Sequence, residues 1–179
     1  MKMESNNLEK ASLLGENYAI GVPPKTLTGK RYILCDSAPS NYGKSNVLTA
    51  VADYYISNPT LYTQLTSKIL NNDRWLVVRE ISTNKIILVQ TKGDDAGCFS
   101  KTISYLRNSK NPIVDIILCA CHPDNETHNI VKALAGKTFK LFCFTNFYPD
   151  HKPKKWILPA SNIVKVQLKN TIIEIINQL

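Results

Sequence analysis

Apolar residues along this chain come in short blocks set apart by polar, turn-forming stretches, and the spacing inside the blocks switches between two periods. Tyr32-Ile33-Leu34-Cys35 is a continuous apolar run ending at Asp36, the pattern of a strand covered on both faces. From Asn46 to about Ser57, Val47, Leu48, Val51, Tyr54 and Tyr55 share one side of a predicted helix. Pro59 breaks the chain. Leu61, Leu65, Ile69 and Leu70 then recur at helical spacing and predict a second helix from about Thr60 to Leu70. The runs Arg74 to Ile81 and Lys85 to Gln90, joined by Ser82-Thr83-Asn84, predict an antiparallel hairpin over 74–90. A helix from about Ala96 to Ser109 leads into Ile113 to Ala120, the most hydrophobic run, expected mid-sheet. A helix from about Asn125 to Leu134 stops at Gly136. A strand from Phe139 to Thr145, another from Ile163 to Leu168 and a terminal helix from Thr171 complete the expected order.

Strands alternating with helices imply an α/β fold, a three-layer sandwich with a mostly parallel central sheet and an antiparallel edge hairpin. Residues 30–179 read as one domain. Residues 1–29, with Leu8, Ala11, Leu13 and Leu14 followed by Gly21-Val22-Pro23-Pro24, read as a leader packing on its edge.

Composition adds boundaries to this picture. With 179 residues, 44% hydrophobic and 20% charged, the chain can bury one core without disulfides or structural metal. No apolar run approaches the ~20 residues that cross a bilayer, and Met1 to Asn7 has no apolar signal region, so the expectation is a cytoplasmic protein with no membrane partner. A net charge of +8 suits an anionic ligand. Nucleic acid stays open as a partner, although Lys and Arg are scattered and only His151-Lys152-Pro153-Lys154-Lys155 forms a cluster. Cys35, Cys119, Cys121 and Cys143 lie in or at the ends of apolar runs, where cysteine acts as a small hydrophobe. With Cys98, they contain no C-x-x-C pair, and Cys119-Ala120-Cys121-His122 has the wrong spacing for a zinc knuckle.

The candidate chemistry lies between the first strand and first helix. Ala38-Pro39-Ser40-Asn41-Tyr42-Gly43-Lys44-Ser45 fits [AG]-x-x-x-x-G-K-[ST], the phosphate-binding loop pattern, in the strand–loop–helix context the pattern requires. A loop entering a helix N-terminus gathers backbone N–H groups, with Asn46 in the first turn, and the helix dipole adds partial positive charge. Gly43 keeps a side chain out of the way of the phosphates, the Lys44 ammonium is placed to reach the β- and γ-phosphates, and the Ser45 hydroxyl to hold Mg²⁺.

On these residues the chain resembles the P-loop NTPase superfamily, specifically over residues 31–57 and only in topology beyond them. The resemblance implies a parallel α/β sheet, an NTP·Mg²⁺ ligand and phosphoryl-transfer or hydrolytic chemistry, without choosing a substrate.

Such a site needs an acidic residue at the end of a strand beside the loop strand, because Mg²⁺ takes hard oxygen ligands. No run of four apolar residues is followed directly by Asp. The best substitute is Gln90-Thr91-Lys92-Gly93-Asp94-Asp95-Ala96-Gly97, where Asp94 would hold Mg²⁺ or orient water and Asp95 is its understudy; equally, one of the pair caps the next helix. Asp36 ranks below them. Asp94-x-x-Gly97 after a hairpin also resembles the γ-phosphate-sensing segment of small GTPases, but Cys121-His122-Pro123-Asp124 and Thr145 to Asp150 do not supply N-K-x-D. ATP is therefore the default nucleotide. Asn146, Phe147, Tyr148 and Trp156 are candidates to hold its base, the 152–155 basic segment a candidate lid, and Arg79 and Arg107 further candidate phosphate partners. His122, His128 and His151 are not tied to any nucleophile.

Lys44 and Asp94 are the expected catalytic pair, and Ser45 and Asp94 the expected metal ligands, in an ATP- and Mg²⁺-dependent NTPase or small-molecule kinase. A regulatory or assembly ATPase that changes partner, as a homodimer or on DNA, stays open. So do a GTPase-like switch and a binding module without turnover, since Ala38, Pro39 and Tyr42 make the loop stiffer than a Gly-rich one.

Overall fold

The first apolar run becomes β1 (Arg31–Ser37), and the helix expected after the loop becomes α1 (Lys44–Ser57). The structure, a computed structural model, describes residues 30–38, 43–70, 72–145 and 158–179. The leader 1–29, Pro39 to Tyr42 and the 146–157 segment with its aromatics and basic cluster lie outside the described residues.

Downstream come β2 (Tyr62–Leu70), β3 (Asp73–Glu80), β4 (Ile86–Gln90), a 3₁₀ turn (Ala96–Phe99), α2 (Ser100–Arg107) and β5 (Ile116–Cys121). The chain continues through α3 (Glu126–Ala135), β6 (Phe139–Phe144) and α4 (Leu158–Gln178). The six strands among the described residues join one sheet in the order β2-β3-β4-β5-β1-β6. β1 pairs in parallel with β5 and β6, and β4 in parallel with β5, while β2–β3 and β3–β4 are antiparallel. The α/β architecture, the largely parallel sheet and the antiparallel pairing within 74–90 are as expected, but the hairpin is not at the sheet edge, because β2 pairs outside β3 and β4 pairs with β5. Asn84 closes that hairpin with φ 59°, a conformation asparagine tolerates better than most residues.

Helices cover both faces. Val47, Leu48, Val51, Ala52 and Tyr55 of α1 pack with Ile172, Ile173 and Ile176 of α4 against Leu34, Leu76, Val89 and Leu118. On the other face Phe99, Ile103 and Leu106 join Ile130, Val131 and Leu134 over Ile33, Val77, Leu88 and Ile117. β5 is buried at every position, as its unbroken apolar run requires. Each of its large side chains contributes about 1.5–3 kcal/mol through burial.

Two other expectations fail. Residues 60–70 form an edge strand, not a helix. Their helical spacing buries nothing useful, since Leu61 is 50% and Ile69 65% exposed. The buried residue is instead Tyr62, edge-on to Tyr55 with ring centroids 4.6 Å apart. Tyr62, Thr63 and Thr66 suit a strand, and the otherwise open edge of β3 supplies the backbone partners, with a bulge between Gln64 and Thr66.

The expected strand over 163–168 and the later helix start at Thr171 are likewise replaced by one helix, α4. Val164, Val166 and Leu168 alternate with polar residues, but Leu168, Ile172 and Ile176 at i, i+4 spacing form the stripe against α1, and Ile163, Val164 and Val166 stay exposed.

A buried polar chain ties the hairpin to α2. Trp75 Nε1 donates to Thr102 Oγ1 at 2.9 Å, and that hydroxyl donates to Gln90 Oε1. All three residues are buried. Thr102→Val leaves an indole N–H and an amide oxygen without their partner, so a loss of about 2 kcal/mol or more is expected, read as a lower urea midpoint at unchanged slope.

Candidate functional site

The site is assembled at the carboxyl ends of β1, β4 and β5, where an open α/β sheet leaves its crevice. Ala38, fully buried, donates its N–H to Cys121 O at 3.3 Å, which pins the exit of β1 to the end of β5. Gly43 then takes φ 76°, ψ 15° as the N-cap of α1, a left-handed conformation that costs glycine little and other residues more. α1 thus has a glycine N-cap, which brings no side chain of its own to the first turn. Its first N–H groups and its dipole, equivalent to roughly half a positive charge, point along the axis into the loop.

Lys44 is the first residue of α1, and its side chain is 5% exposed. Its ammonium turns back across the loop and donates to Ala38 O at 2.6 Å. The next residue faces another strand, with Ser45 Oγ donating to Thr91 O at 3.1 Å, just past the end of β4. Asn46 is half-buried in the same turn.

The sheet order corrects one expectation. The segment carrying Asp94 follows β4, and β4 is not the neighbour of β1, because β5 lies between them. The Thr91 contact nevertheless brings the end of β4 to the start of α1. From there the chain crosses the end of β5 so closely that a Cβ on Gly93 would lie 2.0 Å from Ala120 O and 2.9 Å from Cys121 N. Asn125 Nδ2 donates to Asp94 O at 3.1 Å and holds the crossing from the α3 side.

The paired aspartates divide their roles. Asp95 Oδ1 accepts from Cys98 N at 3.1 Å, capping the 3₁₀ turn, and Asp95 Oδ2 lies 3.6 Å from Lys92 Nζ. Asp94 is exposed and makes no side-chain hydrogen bond or ion pair with any described residue. Asp36 is fully buried in β1, in register with Ala120 of β5 and Phe144 of β6.

Other candidates fall elsewhere. Arg79 pairs with Ile86 at the start of β4, the end of the sheet away from the loop, and Arg107 closes α2, which runs back toward that same end. Neither belongs to the loop site. His122 follows β5 on the site's side, its N–H bonded to Thr127 Oγ1 and its Nδ1 accepting from Asp124 N. His128 Nδ1 lies 3.6 Å from Cys121 Sγ, and burial, with the nearby Lys132 charge, holds its pKa below the ordinary histidine value.

Cys35, Cys119 and Cys121 are buried, whereas Cys143 is exposed on edge strand β6. Cys35 Sγ donates to Cys121 Sγ at 3.1 Å. The Cys35 thiol is pushed well above its usual range by its contact with Cys119 and by burial, and that of Cys121 by its contact with Cys35 and by burial. Burial raises Cys98 to about 11. These thiols stay protonated at neutral pH and are poor nucleophiles.

No group of three His, Cys, Asp or Glu side chains able to hold a metal occurs among the described residues. A Mg²⁺ that arrives with a nucleotide does not need one, since it keeps waters and phosphate oxygens and takes only one or two protein ligands. The Ser45 hydroxyl and the Asp94 carboxylate fit that requirement in kind.

Sequence reading missed Thr91, Ala120 and Asn125, which fix the crossing. Gly93 was the one signal available, a glycine between a strand and two acids. Among the described residues no helix is long and apolar enough to cross a membrane. No family model, curated protein or solved structure matches the chain.

Proposed function

We propose that the chain binds ATP with Mg²⁺ in the loop between β1 and α1 and acts as an NTPase or phosphotransferase. The observation that carries this reading is the buried Lys44 ammonium bonded to Ala38 O at 2.6 Å, in the first turn of a helix whose N-cap is a glycine. A buried ammonium is costly unless it is bonded. Resting on a backbone carbonyl, it is satisfied without a ligand and is released to phosphate oxygens when they enter. The N–H groups of the first turn of α1 point toward the same anion, and Asn46 lies in that turn to help line the site.

Bound Mg²⁺ supplies charge neutralisation on the phosphates. Ser45 would hold the ion through its hydroxyl oxygen, whose lone pairs stay available while its hydrogen is donated to Thr91 O. Asp94, exposed at the rim and not engaged as a cap, is the carboxylate left to hold the metal or orient a water, which makes it with Lys44 the catalytic pair of this reading. Pro39, Ser40, Asn41 and Tyr42 complete the loop by the sequence pattern. Adenine is preferred because no N-K-x-D segment follows a later strand.

Calorimetric titration with ATP and GTP, with and without Mg²⁺, tests this. Mg²⁺ is expected to tighten ATP binding, and Ser45→Ala to remove that increment while leaving Mg²⁺-free affinity within about twofold. Absence of binding by either nucleotide to folded protein overturns the proposal.

A further inference from the structure

Away from the loop, on the α2 face of the sheet, β2, β3 and α2 enclose an open cavity of about 450 Å³. Trp75 and Leu65 form its floor, Tyr105 one wall, and Arg79, Lys101 and Asn108 reach its margins. Lys101 Nζ sits 3.9 Å from the centre of the Trp75 ring, and Tyr105 meets the same ring edge-on at 5.4 Å. Lys68 stands directly across from Trp75 on β2.

Two cations, Arg79 and Lys101, line the cavity with no carboxylate among its lining residues, and Lys68 stands at its edge. The ion pairs among the described residues, Arg74–Asp53, Lys85–Glu80 and Lys92–Asp95, use none of them. Lys101 has its pKa pushed down by burial and then by the Lys68 charge, so an arriving anion relieves a repulsion already present. The cations are also spread out. Lys101 lies over residue 75 and Arg79 four positions further along β3, roughly 13 Å at ~3.3 Å per residue. A strand of linked phosphates can follow such a row of cations along β3.

The remaining wall chemistry suits bases. The half-buried Tyr105 ring offers a surface for stacking. Asn111 Nδ2 donates to Tyr105 O and Asn108 Oδ1 accepts from Lys110 N, leaving the Asn111 oxygen and the Asn108 amide nitrogen as acceptor and donor for a base edge. The cavity is too small to lodge a duplex.

We infer that the cleft between β2–β3 and α2, lined by Trp75, Tyr105, Arg79 and Lys101 with Lys68 at its edge, binds single-stranded nucleic acid at a site separate from the loop of Lys44. Arg79 stood out in the sequence only as a phosphate partner for the loop; the fold sets it instead beside Lys101 and Lys68, which are far from one another in sequence.

Fluorescence anisotropy of labelled 12-nucleotide single-stranded RNA and DNA at low salt, repeated at rising salt, tests the inference. At least one strand is expected to bind, more weakly as salt rises. Arg79→Glu with Lys101→Glu should weaken binding at least tenfold, Arg79→Gln alone should weaken it measurably, and Lys44→Ala should leave it unchanged. Unchanged thermal melting of Arg79→Gln shows that the loss is not unfolding. The inference is overturned by no binding, by equal affinity for a duplex of the same sequence, or by insensitivity to the charge reversals. Competition by AMP or by polyglutamate at the concentration where the oligonucleotide competes also overturns it, by pointing to a free nucleotide or an acidic protein.

Discussion

Gly93→Ala is expected to lower the melting temperature by about 6–12 °C, the result of a loss near 3 kcal/mol in a chain of this size. The added methyl carbon would sit 2.0 Å from Ala120 O and 2.3 Å from Ala120 C, both backbone atoms of the fully buried central strand β5. Neither neighbour can rotate away as a flexible side chain would, so the segment 92–95 must lift off the end of the sheet. Lifting it strains the Asn125–Asp94 bond and the adjoining Ser45–Thr91 bond, which hold the crossing to α3 and α1. The same substitution should therefore blunt the Mg²⁺ dependence of ATP binding at temperatures where the protein is still folded. Thermal melts followed by circular dichroism, with titrations well below the transition, read both effects. A melting temperature within about 2 °C of the parent would show that the crossing yields without cost.

Lys44→Ala should weaken ATP binding about thirtyfold or more while changing stability by less than about 1 kcal/mol. The first figure follows from removing one member of a desolvated charge pair, which typically costs 2–5 kcal/mol. The second follows because the bond from the charged Lys44 to Ala38 contributes about 1.5–3 kcal/mol net, and its loss is offset by no longer burying an ammonium. Calorimetry and urea unfolding on the same preparations separate the two. Retained affinity in a folded variant would remove the loop from the binding site.

The residues around Lys44 were legible because three signals agreed there: the apolar run of β1, the one-sided face of α1 and the loop pattern between them. β5 was legible for a simpler reason, since an unbroken apolar run of that length has nowhere to go but mid-sheet. The hairpin of β3 and β4 was equally plain. β2 was not, because a half-exposed edge strand has one face free to carry any spacing, and Leu61, Leu65 and Ile69 fell by chance at four-residue steps. The first half of α4 misled in the opposite sense, with exposed β-branched residues imitating a strand. Spatial order was the deeper loss. Nothing in the local pattern of residues 86–97 indicates that β5 lies between β4 and β1, and so neither the Thr91 contact nor the crowding at Gly93 could be read in advance.

The placement of β1 in the sheet also sets an order of events during synthesis. Its neighbours are distant in sequence: Cys35 meets Cys121 across 86 residues, and Thr145 reaches back to Ser37 across 108. β2, β3 and β4 form a meander whose contacts are all local and close early, while β1 has no partner until β5 and β6 have left the ribosome. β1 is thus made well before the strands that lock it in. Until then the apolar run of β1 lacks its strand partners, which makes the nascent chain most vulnerable to aggregation through this segment.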